Sequence, residues 1–372
     1  MVPWPRSAPW PSHSGDVHVR LCYFGDAISV HLQRWTEWFA RRGHDVHLFS
    51  LNAYDIPGVD VHVLPFAKRG AWEVPQKAAY VRRAVSDLRP DLVHAHFALG
   101  YGLWGVLSRH RPLVVSAWGS DVLVGPERSW LDRQVLRFVL RRATLTISVA
   151  THLRDRMIKY GLRADRAVVI PMGVDLDRYP PQPYRIRTRS IDFVSTRTLE
   201  PIYDLETLIR AAAEIFRRFP EARGQIVGGG SLKSSLERFA TTQGLMGRLE
   251  FRGPLPSDTL MNSLAMAQVY VSTSKSDGAS VSLLEAMSRG CFPIVTDIAA
   301  NREWIENGKN GFVFPVGDAQ ALAERVSEAI GDETLLVRAS AANIRKVQEA
   351  GNLRRNLERV EGIYARLLEG GK

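Results

Sequence analysis

From Val19 onward, short runs of β-branched and aromatic residues alternate with longer stretches whose apolar positions recur every three or four residues. The short runs are VRLCYF, DVHLFS, VDVHVLPF, LVHAHF, LVVSAW and TLTISVA. Between them a helical period marks Ser29 to Arg42, a segment ending at Leu88, and Leu131 to Arg142. Near-continuous apolar strands separated by amphipathic helices predict a parallel sheet wrapped by helices. The pattern breaks over Pro171 to Arg189, PMGVDLDRYPPQPYRIRTR, which reads as a linker. A second series follows: SIDFVST, a helix from Asp204 to Arg218, GQIVG, a helix from Leu232 to Thr242, RLEFRG, a helix from Ser257, QVYVST, FPIVTD and several C-terminal helices. The expected architecture is α/β, with Rossmann-like parallel-sheet domains at 18–180 and 181–350 facing an interdomain cleft that buries a nucleotide-sized ligand. A flexible, proline-rich leader at 1–17 precedes them, and a helix at 351–372 is expected to pack back toward the N-terminal domain.

Ligands of parallel sheets lie at the C-terminal ends of the strands, and here those ends carry chemistry. Gly25 and Asp26 follow the first strand, His96 ends the fourth, and Trp118, Gly119 and Asp121 follow the fifth. In the second series Arg197 follows the first strand, and IVGGGS (Ile226 to Ser231) has the order strand, glycine turn, helix. Arg197 either offers bidentate bonds to a diphosphate or pairs with Glu200 at the surface. The glycine turn either admits a diphosphate close to the backbone at Gly229 or is a plain tight turn.

The densest stretch is Ser274 to Asp297, SKSDGASVSLLEAMSRGCFPIVTD. A polar turn leads to Ser280 as N-cap, then to Val281, Leu284, Glu285, Met287 and Ser288 at helical spacing, with Gly290 as the stop. The first backbone N–H groups of such a helix, at Val281, Ser282 and Leu283, have no intrahelical acceptor and carry partial positive charge, so they suit a phosphate. Asp277 in the turn and Glu285 in the second helical turn flank that end; alone, they are equally consistent with solvated acids on an amphipathic helix.

Composition narrows the classes. The 372 residues hold only two cysteines, Cys22 and Cys291, both in apolar segments, which excludes a disulfide framework. No apolar run approaches the roughly 20 residues needed to span a bilayer, so a cytoplasmic protein is expected. The net charge of +10 is spread over helices and does not by itself imply nucleic acid. In ERSWLDRQVLRFVLRRA, Arg133, Arg137 and Arg141 lie near one helix face and Leu136, Val139 and Leu140 on another. That is either a solvated face over a core-facing one or a peripheral contact with the inner, anionic surface of a membrane. His94 and His96 are read as lying on opposite sides of their strand, which argues against a shared metal, with His94 packed and His96 either structural or at an acceptor.

With these residues in place, the chain resembles the retaining glycosyltransferases of family four, which have the two-domain GT-B fold. The resemblance covers Val19 to Leu368 and is most specific over DGASVSLLEAMSRGCFPIVTDIAANREWIENGKNGFVFPVGD. It also takes in GDAISVHLQRW, FARRGHDV, DLVHAH, WGSD, IPMGVDLDRY and Arg197. It implies a hexosyl-type transferase that moves a sugar from a nucleotide-diphosphate donor to a hydroxyl of a glycan, polysaccharide or lipid-linked acceptor, with retention and without metal or cofactor. Arg197 and Asp277 would carry the catalysis. Glu285 would hold ribose, and Ser280, Val281, Ser282, Arg197, Gly25 and Gly229 the diphosphate. The loop from Arg252 would meet the base, and His96, Trp118 and Asp121 would lie on the acceptor side. Asp175 and Asp177 correspond to the family's structural linker. Three positions depart from the family: Asp277 replaces a glutamate, Tyr203 a lysine, and Trp118 a histidine. Trp118 can instead stack against a sugar. A nucleotide-binding non-catalytic homologue and a nucleotide-sugar 2-epimerase on the same fold are the alternatives.

Overall fold

The computed structural model describes residues 18–66, 74–184 and 191–370; the expected leader and the last part of the linker lie outside them. The chain first forms β1 (Arg20–Phe24), α1 (Val30–Arg41), β2 (Asp45–Ser50), β3 (Val59–Val63), α2 (Val74–Leu88), β4 (Leu92–His96), α3 (Tyr101–Leu107), β5 (Leu113–Ala117), α4 (Ser120–Leu123), α5 (Gly125–Arg128), α6 (Trp130–Arg142), β6 (Leu145–Ser148), α7 (Thr151–Lys159) and β7 (Ala167–Val169). There follow β8 (Ile191–Ser195), α8 (Leu205–Arg218), β9 (Gly224–Val227), α9 (Lys233–Thr242), β10 (Leu249–Gly253), α10 (Ser257–Met266), β11 (Ala267–Ser272), α11 (Val281–Ser288), β12 (Phe292–Thr296), α12 (Ala299–Arg302), β13 (Phe312–Phe314), α13 (Ala319–Gly331), α14 (Glu333–Ala350) and α15 (Leu353–Glu369). One compact unit reaches to Met172 and takes in the chain again from Arg355; the other runs Gly173–Arg354.

Each unit is built on an all-parallel sheet, of order β3-β2-β1-β4-β5-β6-β7 in the first and β10-β9-β8-β11-β12-β13 in the second. The two-residue period of each strand sends neighbouring side chains to opposite faces. In the second unit Phe193, Val269, Val271 and Ile294 meet Leu208, Ile215 and Phe216 of α8 and Leu322 and Val326 of α13 on one face. Val194, Tyr270 and Val295 meet Leu264 of α10 and Leu283, Leu284 and Met287 of α11 on the other. Each such fully buried side chain contributes about 1.5–3 kcal/mol, so α11 is held by its apolar side and presents its start to the strand ends. Its stop is steric as well as local. A Cβ on Gly290 would lie 2.6 Å from the Gln182 carbonyl oxygen, and the residue has φ +74°.

Strand order reverses once in each sheet, at β1/β4 and at β8/β11. Adjacent connections leave in opposite directions there and open a crevice at the carboxyl ends of the strands. Gly25 and His96 stand at the first switch point, Arg197 and the turn before α11 at the second.

One expectation is corrected. His94 and His96 share a face of β4, because residues two apart in a strand point the same way; their rings are 4.2 Å apart. Both pack edge-on against Trp35. His94 is packed as expected, between Ser116 Oγ and the Tyr364 hydroxyl.

Candidate functional site

At the switch point of the second sheet, four residues from three segments close around one guanidinium. Arg197 leaves the end of β8 and is 7% exposed. Its Nη2 donates to Asp277 Oδ2 at 2.6 Å, and its Nη1 donates to Ser280 Oγ at 2.9 Å and to Ser282 Oγ at 2.8 Å. Tyr203, in a short turn after Pro201, lays its ring under the guanidinium with the central carbon 4.1 Å from the ring centre. Burial works against the Arg197 charge, but the Asp277 carboxylate outweighs it and, with Tyr270 and Tyr203, raises the pKa above the ordinary arginine value. Glu200 is elsewhere engaged, accepting from the backbone N–H and hydroxyl of Ser231. The surface Arg197–Glu200 pair is therefore not formed.

Ser280 caps α11 as expected, its Oγ accepting from Leu283 N at 3.2 Å. Tyr270 reaches up from β11 to within 2.9 Å of Ser282 Oγ. Val281, Ser282 and Glu285 are half-buried on a helix whose Leu283, Leu284, Ala286 and Met287 are buried. Spacings of three and four residues put Glu285 on the same side as Ser282 and Val281, below the helix start. Among the described residues, Arg197 Nε and the hydroxyls of Ser195 and Thr196 are buried without a hydrogen-bond partner. Unsatisfied donors beside a helix N-terminus suit an anionic oxygen-rich group.

The glycine turn braces this loop. Cβ atoms on Gly228 and Gly230 would lie 2.6 Å from the Arg197 oxygen and 2.4 Å from the Leu199 oxygen, whereas one on Gly229 meets nothing closer than Pro254 at 3.7 Å. Steric need thus falls on Gly228 and Gly230, and Gly229 is free of it. Arg252 is not brought to the cluster: its Nη1 pairs with Glu250 at 3.0 Å, and it lines a separate groove with Arg223, Thr259 and Asn262.

At the switch point of the first sheet, Trp118 is half-buried, stacked on His31 and flanked by Trp35 and His96. His96 is 4% exposed and neither ring nitrogen has a partner among the described residues. Burial lowers its pKa to about 3, and burial followed by the Arg34 charge lowers that of His31 to about 4. Asp121 is fully buried, and its carboxylate accepts from the N–H groups of Ala98, Trp118 and Gly119. It is a clasp that shapes the Trp118 loop and has no free face for a ligand. Gly25 has a packing reason of its own, since a Cβ there would lie 2.3 Å from Leu32 Cδ2.

Comparison with known proteins decides the family. Residues 181–346 match the model of the glycosyl transferases group 1, and residues 20–150 that of the glycosyl transferase 4-like proteins. The chain belongs to the group 1 glycosyltransferases. The transferase is 25% identical over 359 residues to EpsD of Bacillus subtilis, a protein with a glycosyltransferase name, spanning 90% of this chain and 92% of that one. It is 26% identical over 362 residues to the D-inositol 3-phosphate glycosyltransferase of Nocardia farcinica, covering 84% and 79% of the two chains. Its fold is GT-B. Anabaena HepE, solved in complex with UDP, superimposes with a TM-score of 0.78 at 18% identity over 93% of this chain and 100% of that one.

Sequence reasoning reached Arg197, Asp277, Ser280, Ser282 and Glu285 one by one, but missed four partners. Tyr203 was read only as the loss of a cation, whereas it supports Arg197. Tyr270 was hidden in an apolar strand. His31 and Trp35 stand four apart in GDAISVHLQRW, the spacing of one helix face, and that signal was available.

Proposed function

We propose that this transferase moves a hexosyl unit from a nucleotide-diphosphate sugar to a hydroxyl acceptor with retention of configuration and without a metal. The observation that carries this reading is the Arg197 cluster. A buried guanidinium with a donor left over sits beside the N-terminus of α11 at the switch point of its sheet. Arg197 and the N–H groups of Val281 and Ser282 hold the diphosphate, with Gly229 beside it. Negative charge grows on that leaving group as the glycosyl bond breaks, so donors fixed in advance lower the barrier. Glu285, on the same side of the helix, accepts from the ribose hydroxyls. Asp277 orients Arg197 and meets the transferred sugar. On the first unit, the Trp118 and His31 rings form the stacking surface for an acceptor glycan or lipid-linked sugar.

The test is calorimetric titration with UDP, GDP and ADP, followed by transfer assays in chelator with the product anomer read by NMR. Absence of binding to every nucleoside diphosphate refutes the proposal. Binding without turnover of any nucleotide sugar moves the chain to the non-catalytic homologues.

No helix among the described residues is long and apolar enough to cross a membrane. The outward side of α6 nevertheless exposes Trp130 (67%) and Leu131 (65%), with Phe138 under the Arg142 guanidinium, while Arg133 is turned in to the Pro126 carbonyl. Apolar side chains beside cations support peripheral contact with an anionic membrane. Flotation with vesicles containing phosphatidylglycerol, lost in Leu131→Glu, tests it.

A further inference from the structure

The edge of the first sheet gathers two imidazoles and two carboxylates that glycosyl transfer does not use. β2 and β3 pair with His47 opposite Asp60 and Phe49 opposite His62, so Asp45, His47, Asp60 and His62 share one face of the sheet. Asp45, His47 and Asp60 each bring a donor atom within 4.8 Å of the other two. His47 is buried at the centre, while Asp60 and His62 are exposed. His47 Nδ1 faces His62 Nε2 at 3.0 Å and Asp60 Oδ2 at 3.6 Å; its Nε2 lies 3.0 Å from Asp45 Oδ1. Asp45 is in turn held by Arg20, whose Nε donates to its Oδ2 at 2.6 Å.

We infer that this edge binds a divalent transition metal of the zinc class through His47 Nδ1, His62 Nε2 and Asp60, with Asp45 orienting His47. Donors bound to tetrahedral zinc at about 2.0–2.2 Å lie roughly 3.3–3.6 Å apart, and the two separations around His47 Nδ1 fall close to that value. With Asp45 accepting the Nε2 proton, the Nδ1 lone pair faces outward, which is the carboxylate–histidine–metal arrangement that fixes a ligand's tautomer. Two imidazoles and a carboxylate select zinc, cobalt or nickel over magnesium or calcium, which favour all-oxygen sites. Asp60 and His62 are solvent-facing, so both can turn to close on the ion and water completes the coordination. Arg20 contacts Asp45, the carboxylate on the Nε2 side of His47. β3 is the sheet's edge strand; an ion shared between β2 and β3 pins it, where an unpinned edge frays or recruits other strands.

The experiment uses the full chain, stripped with chelator and titrated with Co²⁺ and then Zn²⁺. One equivalent of Co²⁺ giving visible ligand-field bands, displaced by Zn²⁺, with a raised melting temperature, is expected. His62→Ala and Asp60→Asn, both at exposed positions, should weaken Zn²⁺ affinity at least tenfold, and Asp45→Asn about 10–100-fold, while His110→Ala should not change it. The absence of a stoichiometric Co²⁺ spectrum, or an affinity unchanged by His62→Ala and Asp60→Asn, would show that the cluster is only an N–H···N pair bordered by carboxylates.

Discussion

Replacing Asp277 with alanine removes the carboxylate 2.6 Å from Arg197 Nη2 and leaves a guanidinium that is 7% exposed. Removing one partner of a buried ion pair costs about 3–5 kcal/mol when nothing else compensates the remaining charge. Here the hydroxyls of Ser280 and Ser282 stay in place, and the Tyr203 ring supplies about 0.5–2 kcal/mol of cation–π attraction. Asp277 is itself 14% exposed at the side chain, so solvent already screens part of the pair. A loss of about 2–3 kcal/mol remains, which lowers the melting temperature of a unit this size by roughly 5–10 °C. The opposite change, Arg197→Met, leaves Asp277 at the rim where it can turn to water, and should cost about 1 kcal/mol. Charge at the site adds a second, signed expectation. A nucleoside diphosphate replaces the lost anion, so UDP, GDP or ADP at saturation should raise the melting temperature of Asp277→Ala more than that of the wild type. Thermal unfolding with and without nucleotide measures all three. An Asp277→Ala protein melting within 2 °C (~1 kcal/mol) of wild type, or Arg197→Met proving the more damaging change, would refute the reasoning.

Three further outcomes follow from the same geometry. Glu285→Ala removes a charged acceptor proposed for ribose and should weaken nucleotide binding by about 1.5–3 kcal/mol, roughly 10–100-fold, with little change in folding; calorimetry gives the answer, and unchanged affinity excludes the assignment. Gly230→Ala drives a Cβ to 2.4 Å from the Leu199 oxygen and should lower the melting temperature, whereas Gly229→Ala, with its nearest neighbour at 3.7 Å, should leave stability intact and reduce only diphosphate affinity. For pH, the buried neutral His96 has its pKa lowered from 6.5 to about 3. Its contribution to stability is complete above 6.5 and is lost as pH falls from there toward 3, because only the unfolded state takes up the proton. Melting of the unit containing β1–β7 should therefore fall below pH 6.5, and His96→Leu should reduce that dependence, the buried His31 and His94 keeping the rest.

The element order and the parallel-sheet class were legible because apolar runs, helical period and turn residues are local signals. Strand bounds such as Asp45–Ser50 and Phe292–Thr296 agree with the runs read from the chain. β7 and β13 were not picked out, since each is a short strand whose existence rests on pairing with a neighbour, and the helices α3 and α7 were missed as well. The helix start at Ser280 was likewise local, a hydroxyl followed by apolar spacing. Which way Arg197 turns was not: Glu200 is nearer in sequence, but the reversal of strand order between β8 and β11 brings Asp277, Ser280 and Ser282 to it. Asp121 changed from a candidate contact to a buried clasp for the same reason, as its acceptors' partners come from two separate loops. The sequence alone determined which side chains stand at the ends of which strands, because spacing along one element is a local property. Only the tertiary structure decided which ends meet, because strand order, set by how helices cover both faces of the sheet, carries residues some eighty positions apart into a single hydrogen-bonded cluster.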